Sequence, residues 1–191
     1  MELAQHKGNA ALVVVDMHQY RFYPKGKPIS EKCLRWYSRK DRAAGRVCKA
    51  IRNAKEMGIP VVLVTMNCGA RDPVIDSVAG QDSEFVRRIK KTDCDAFSGT
   101  ELEKLLGDWN VKTLVVCGRS WNVTKGKDAC MVSTIKGAKE KEFHVITAYP
   151  LMHGWIGSIG EFIRTVRHYR KATEHYFSEK RLFGRMAELV A

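Results

Sequence analysis

Residues 10–16 read Ala-Ala-Leu-Val-Val-Val-Asp, an apolar run that is closed by an aspartate. Apolar and polar residues do not alternate in it, which is typical of a strand buried on both faces of a parallel sheet. Two similar runs follow at residues 59–65 and 113–117. The stretch from about residue 42 to 57 has a helical pattern that stops at Gly58. A second helical pattern starts after Thr100, which we expect to form a capping box with Glu103.

The remaining pattern continues the alternation of strands and helices. A helix is predicted to open at Cys130 and to lead into a strand over residues 143–147. Strands that alternate with helices predict an α/β fold with a parallel sheet. A chain of 191 residues has room for one full core, so we expect a single domain over residues 1–191. From about residue 159, apolar residues recur at helical spacing, which predicts a helical C-terminal segment that covers the sheet or an oligomer partner.

The cysteines and the apolar content limit the class of protein. The six cysteines contain no Cys-x-x-Cys pair and have no histidine at zinc-ligand spacing. Because the chain is much larger than small disulfide-rich scaffolds, we expect free thiols. No apolar window is long enough to span a bilayer, and the first residues lack the apolar core of a signal peptide. We therefore expect a cytoplasmic protein that does not bind membranes.

The chain is strongly basic, with 33 Lys and Arg against 21 Asp and Glu and a net charge of +12. Such a charge suits nucleic acid, an anionic surface or an acidic substrate. The basic residues are spread over residues 35–46, 87–91 and 164–171, without a nucleic-acid-binding motif. We interpret them as a solvated surface and do not expect nucleic acid as a partner. Binding that weakens steeply with salt would support the opposite interpretation.

Three residue types that can act together follow the predicted strands. Ligands of an open parallel sheet bind beyond the carboxyl ends of its strands. Asp16 ends the first strand, Cys130 opens the helix after residues 113–117, and Lys91 lies between them in sequence. A thiol at a helix N-terminus feels the positive end of the dipole, so its pKa is expected to fall. The carboxylate can accept the thiol proton and the lysine can stabilise both anions. Singly, each residue also fits a plain structural role, as a turn residue, a solvated lysine or a buried thiol.

These blocks, in this order, resemble the isochorismatase-like cysteine hydrolases, which include nicotinamidases, N-carbamoylsarcosine amidohydrolase and isochorismatase itself. The resemblance covers roughly residues 10–148. Residues 16–22 look like the opening aspartate motif of the family. Lys91 with residues 95–102 is similar to its lysine block, and residues 130–134 with Ala138 are similar to its nucleophile helix.

The resemblance implies a three-layer αβα sandwich with a mainly parallel, Rossmann-like sheet. It implies a catalytic triad of Asp16, Lys91 and Cys130, with Lys90 as the alternative lysine. The implied reaction is hydrolysis of a non-peptide C–N bond of a small amide, carbamoyl or ureide through an acyl-enzyme, with backbone N–H groups near Cys130 and Gly118 as the oxyanion hole. The aromatic candidates for the pocket walls are Phe22, Phe97 and Trp121. Oligomers are common in the family, so a homo-oligomer is expected.

The sequence departs from the family pattern in two places. The stretch from Gly118 to Cys130 is longer than usual, so that counting forward places the nucleophile at Thr124 and counting back from the helix places it at Cys130. We favour Cys130, because helix packing determines the second count and a surface turn tolerates insertion. Residues 66–72 contain no histidine, so no catalytic metal or other cofactor is expected. The alternative function is a catalytically impaired member that binds a small molecule or a protein.

Overall fold

The structure is a computed structural model that describes residues 9–17, 42–67, 72–119, 123–124, 127–153 and 159–191. The described strands are β1 (Ala10–Val15), β2 (Val61–Met66), β3 (Val86–Lys91), β4 (Thr113–Arg119), β5 (Val123–Thr124), β6 (Lys127–Asp128), β7 (His144–His153) and β8 (Glu174–Tyr176). The described helices are α1 (Arg42–Glu56), α2 (Pro73–Ala79), α3 (Leu102–Asp108), α4 (Cys130–Glu140), α5 (Ile159–Ala172) and α6 (Glu179–Glu188).

Six of these strands form one sheet in the order β3-β2-β1-β4-β7-β8, and all neighbours are parallel. Alternate residues of β1 enter different apolar clusters. Val13 and Val15 share one cluster with Met131 of α4, and Leu12 and Val14 share the other with Ile51 of α1. Because both faces of the central strand are buried under helices, the molecule is a three-layer αβα sandwich. This confirms the predicted fold class.

Both edge strands were missed by the sequence analysis. The strand β3 has two apolar and four basic residues, with Arg87 and Lys90 exposed and Ile89 and Lys91 buried. Charged side chains on an edge strand discourage pairing with another chain. They also interrupt the apolar run by which a strand is recognised in the sequence. At the other edge, the three-residue strand β8 lies between α5 and α6. The segment after residue 159 is therefore helix, strand and helix.

The two C-terminal helices pack on opposite faces of the sheet. Tyr169 of α5 belongs to the α4 side of the core, and Leu182 and Met186 of α6 belong to the α1 side. Apolar residues at helical spacing in this segment therefore cover the sheet, as one of the two interpretations predicted. Among the helices that the structure describes, none is long and apolar enough to cross a membrane.

The expected capping box is wrong in register. The helix α3 begins at Leu102, and its N-cap residue is Glu101, which makes no side-chain capping bond. The Thr100 hydroxyl accepts a hydrogen bond from the Leu102 backbone N–H at 3.2 Å and donates one to the Ala96 carbonyl at 2.6 Å. Thr100 thus links the start of α3 to the loop that precedes it.

Candidate active site

Asp16 is the first residue after β1 and lies buried at the carboxyl edge of the sheet. Its backbone N–H donates to the Val64 carbonyl at 2.8 Å, so the end of β1 stays paired with β2. Its φ is +53°, in the left-handed region that aspartate and asparagine adopt more readily than most residues. The chain can therefore turn directly at Asp16, which leaves the carboxylate beyond the strand end.

Lys91 ends β3 and reaches Asp16 across the end of β2. Its Nζ lies 3.1 Å from Asp16 Oδ2, and the two side chains are 0% and 3% exposed. The same Nζ donates to the Cys94 carbonyl at 2.7 Å. A buried ion pair is costly to desolvate, and removing one partner leaves an uncompensated charge. Lys90 is exposed on the other face of β3, so the structure brings Lys91 and not Lys90 to Asp16.

Cys130 is the first residue of α4, and its half-buried thiol hydrogen-bonds the Asp16 carboxylate. Burial raises the pKa of this thiol to about 12, the hydrogen bond and charge of Asp16 raise it too, and Lys91 lowers it. The expected fall in pKa at a helix N-terminus is therefore wrong in direction. Desolvation and the neighbouring carboxylate dominate, because full ionisation would place two anions side by side. The Asp16 carboxylate thus faces both the Cys130 thiol and the Lys91 side chain.

The loop between β3 and α3 packs against α4. The Ala96 backbone N–H donates to the Thr134 hydroxyl at 3.1 Å, and the Phe97 N–H donates to Asp95 Oδ1 at 3.0 Å. Gly137 makes room for the Asp95 carboxylate, since a Cβ there would lie 2.6 Å from Oδ1. Burial raises the pKa of Asp95. These contacts hold the loop, and with it the Cys94 carbonyl that binds Lys91.

Gly118 allows β4 to approach β1 closely beside Asp16. It pairs in register with Val15, and its φ is +129°. A Cβ at this position would lie 2.8 Å from the Val15 backbone nitrogen and 2.9 Å from its carbonyl carbon, with the oxygen closer still. Only glycine avoids both the clash and the unfavourable φ.

Replacing Gly118 with alanine should destabilise the protein by about 1–3 kcal/mol, because it adds backbone strain and forces the strands apart. Urea denaturation measures the change in the free energy of unfolding. Gly184→Ala in α6 is the matched control, since a Cβ there meets nothing within 4 Å. A helical alanine in open space should be neutral or gain up to about 1 kcal/mol. Equal stability of the Gly118→Ala variant and the wild type would contradict the close approach.

The described structure does not place the other predicted site residues, the three pocket aromatics and Thr124, in contact with Asp16. Phe97 is 6% exposed and packs on Phe143 with ring centroids 5.8 Å apart, inside the apolar cluster against which Cys130 packs. Its role as a pocket wall stays a prediction. Phe22 and Trp121 lie outside the described residues. Thr124 belongs to the two-stranded hairpin of β5 and β6, which accounts for part of the long stretch between Gly118 and Cys130.

Sequence reasoning missed the groups that hold the site together. The Cys94 carbonyl is a backbone atom that no residue pattern reveals. Thr134 and Asp95 lie within the motifs that carry the family resemblance, but the sequence does not show which backbone N–H groups they bind. Within the described ranges, no cluster of three or more His, Cys, Asp or Glu residues could hold a metal ion. The site as described consists of a thiol, a carboxylate and an ammonium group.

The fold and this site define an α/β protein with a cysteine, an aspartate and a lysine at the carboxyl edge of a parallel sheet. Residues 10–149 match the family model described as an isochorismatase domain. The chain belongs to the isochorismatase family and is a hydrolase of that family. No curated protein matches the chain in sequence.

Solved structures share the fold at low sequence identity. A nicotinamidase from Staphylococcus aureus aligns with a TM-score of 0.64 at 16% identity, over 88% of this chain and 99% of its own. An N-carbamoylsarcosine amidase from Thermoplasma acidophilum aligns with a TM-score of 0.58 at 19% identity, over 83% and 91%. The MAR1 ribonuclease from Caenorhabditis elegans aligns with a TM-score of 0.67 at 12% identity, over 93% and 81%.

Proposed function

We propose that this protein cleaves a non-peptide C–N bond of a small amide, carbamoyl compound or ureide, with Cys130 as nucleophile. The observation that carries the proposal is that the Asp16 carboxylate contacts both the Cys130 thiol and the Lys91 ammonium. A base within hydrogen-bond reach of a nucleophile, and itself held by a third group, is the general arrangement for covalent catalysis. Two structural neighbours are named as a nicotinamidase and an amidase, so amides and carbamoyl compounds are the first substrates to test.

In the first half-reaction, the Cys130 sulfur attacks the substrate carbonyl carbon while the thiol proton moves to Asp16. The carbonyl oxygen becomes an oxyanion, for which the backbone N–H groups of the first turn of α4 are the proposed donors. Asp16 then gives its proton to the leaving nitrogen, the C–N bond breaks, and a thioester remains on Cys130.

In the second half-reaction, a water molecule replaces the amine. Asp16 accepts a proton from the water, the resulting hydroxide attacks the thioester, and the C–S bond breaks. The thiolate recovers the proton from Asp16, which restores the starting site. Lys91 stabilises whichever of the two groups carries the negative charge. These steps need no metal or other cofactor.

The test is a panel of primary amides, carbamoyl amino acids and ureides, with ammonia or amine release as the readout. We expect the wild-type protein to hydrolyse at least one of these classes, and Cys130→Ala to reduce kcat/KM by at least about 10⁴-fold. Cys48→Ala is the matched control, because this buried thiol of α1 packs on the other face of the sheet and should leave turnover unchanged. Turnover that survives in Cys130→Ala would contradict the proposal.

A second candidate function is a binding module in which the site no longer turns over. The hairpin of β5 and β6, inserted between Gly118 and Cys130, is the observation that favours it. A displacement of about 1 Å can cost on the order of a hundredfold in rate. Calorimetric binding of a panel compound without any release of ammonia or amine would support this candidate over the hydrolase.

A further inference from the structure

The helix α5 presents a strongly basic face to solvent. Its buried side is formed by Thr165 and Tyr169, which are both 0% exposed. The exposed residues recur three and four positions apart, so they share the opposite side of the helix. Apart from Gly160, they are Ile163, Arg164, Arg167, Arg170 and Lys171. We call this set the α5 face.

Among the described residues, no carboxylate compensates the four cations of the α5 face. Within the part of the chain that the structure describes, none of them pairs with a carboxylate. Other arginines of the protein are paired, such as Arg46 with Glu179 at 2.7 Å and Arg88 with Asp76 at 3.1 Å. Four unpaired cations on one side of a helix create a positive potential that attracts a polyanion.

Aromatic rings continue the α5 face toward the sheet. A cavity of about 480 Å³ is lined by Phe162, Ile163, Val166 and the cations Arg167, Arg170 and Lys171. The Phe162 ring lies 5.7 Å from that of Tyr149, which lies 6.3 Å from that of Phe177. Tyr149 is 37% exposed and Phe177 is 55% exposed. The surface thus combines a basic helix, a cavity and a row of rings with two exposed members.

We propose, against the interpretation of residues 164–171 as a merely solvated surface, that the α5 face, with Tyr149 and Phe177, binds single-stranded nucleic acid. Phosphates contact the four cations, and unpaired bases stack on the two exposed rings. Charge complementarity selects a polyanion, and the exposed aromatic rings select one that has flat, unpaired bases. A helix that lies in a membrane surface instead presents a continuous apolar side, whereas the α5 face has Ile163 among four cations. This binding is separate from the proposed hydrolysis and does not depend on it.

The experiment measures fluorescence anisotropy of a labelled twelve-nucleotide poly(U) oligomer with the full chain, over a series of salt concentrations. Four cations should give a slope of about −3 for log K against log salt, from about −0.7 for each phosphate contact. Arg167→Ala combined with Arg170→Ala should make this slope shallower by about 1.4. Phe177→Ala should weaken binding by about fivefold to a hundredfold, through the loss of one stacked base.

The control is Arg87→Ala combined with Lys90→Ala, which removes the same charge from exposed positions of β3 at the opposite edge of the sheet. It should leave the slope and affinity unchanged. An equal loss in the control, or no effect of Phe177→Ala, would overturn the proposal in favour of general charge attraction. Binding to phosphatidylserine vesicles without binding to the oligomer, or self-association that the α5 variants abolish, would also overturn it.

Discussion

Replacing Asp16 with asparagine should slow turnover by about 10²–10⁴-fold and, at the same time, lower the pKa of the Cys130 thiol. The two effects have one cause, because Asp16 is the proposed base and its hydrogen bond and charge raise the pKa of the thiol. Asparagine is the suitable replacement, since it tolerates the φ of +53° at this position. If Asp16→Asn makes the thiol easier to ionise and yet slows turnover, ionisation of the thiol is not what limits the reaction. The carboxylate must then contribute by transferring the proton.

The thiol pKa can be measured without a substrate. The rate of iodoacetamide labelling at Cys130, followed by mass spectrometry between pH 7 and pH 12, reports the thiolate fraction. In the wild-type protein we expect slow labelling at neutral pH, because the pKa is raised to about 12. The midpoint should move to lower pH in Asp16→Asn. A midpoint that rises in Asp16→Asn, or turnover equal to that of the wild type, would refute the assigned role of Asp16.

Replacing Lys91 with methionine should destabilise the protein by about 3–5 kcal/mol. The variant leaves the Asp16 carboxylate, which is 3% exposed, without its cationic partner. It also removes the donor to the Cys94 carbonyl, so the loop between β3 and α3 loses one hydrogen bond. Methionine preserves most of the side-chain volume, so the loss measures the charge rather than a cavity.

A double-mutant cycle separates the charge from other effects. Lys91→Met combined with Asp16→Asn contains no buried unpaired ion, so it should be more stable to urea than Lys91→Met alone. Lys104→Met is the control, because Lys104 pairs with Asp108 on the exposed surface of α3 and its loss should leave the unfolding midpoint unchanged. If the losses in the free energy of unfolding of the two single variants simply add in the double variant, Lys91 and Asp16 do not stabilise each other.

The amino-acid sequence determined the architecture and most of the candidate site. Continuous apolar runs at residues 10–15 and 113–117 require burial on both faces, which only a sheet with helices on each side supplies. The positions of Asp16 and Cys130 follow, because parallel strands bring their carboxyl ends to one edge. The short-range pattern did not reveal β3 and β8, since edge strands are partly solvated and need no continuous apolar run.

Only the tertiary structure decided which lysine reaches Asp16 and how the thiol ionises. Lys90 and Lys91 are adjacent and chemically identical; the pleat of β3 sends them to opposite faces, and the packing of the sheet decides that Lys91 is the buried one. The pKa of Cys130 rises because burial and the Asp16 carboxylate act through space, while the sequence reveals only the local helix end. The basic α5 face likewise depends on packing, because the burial of Tyr169 in the core leaves the four cations on the solvent-exposed side of the helix. The local sequence pattern shows the periodicity and the ends of helices and strands. The distances between side chains that are remote in sequence are determined only by the packing of the layers.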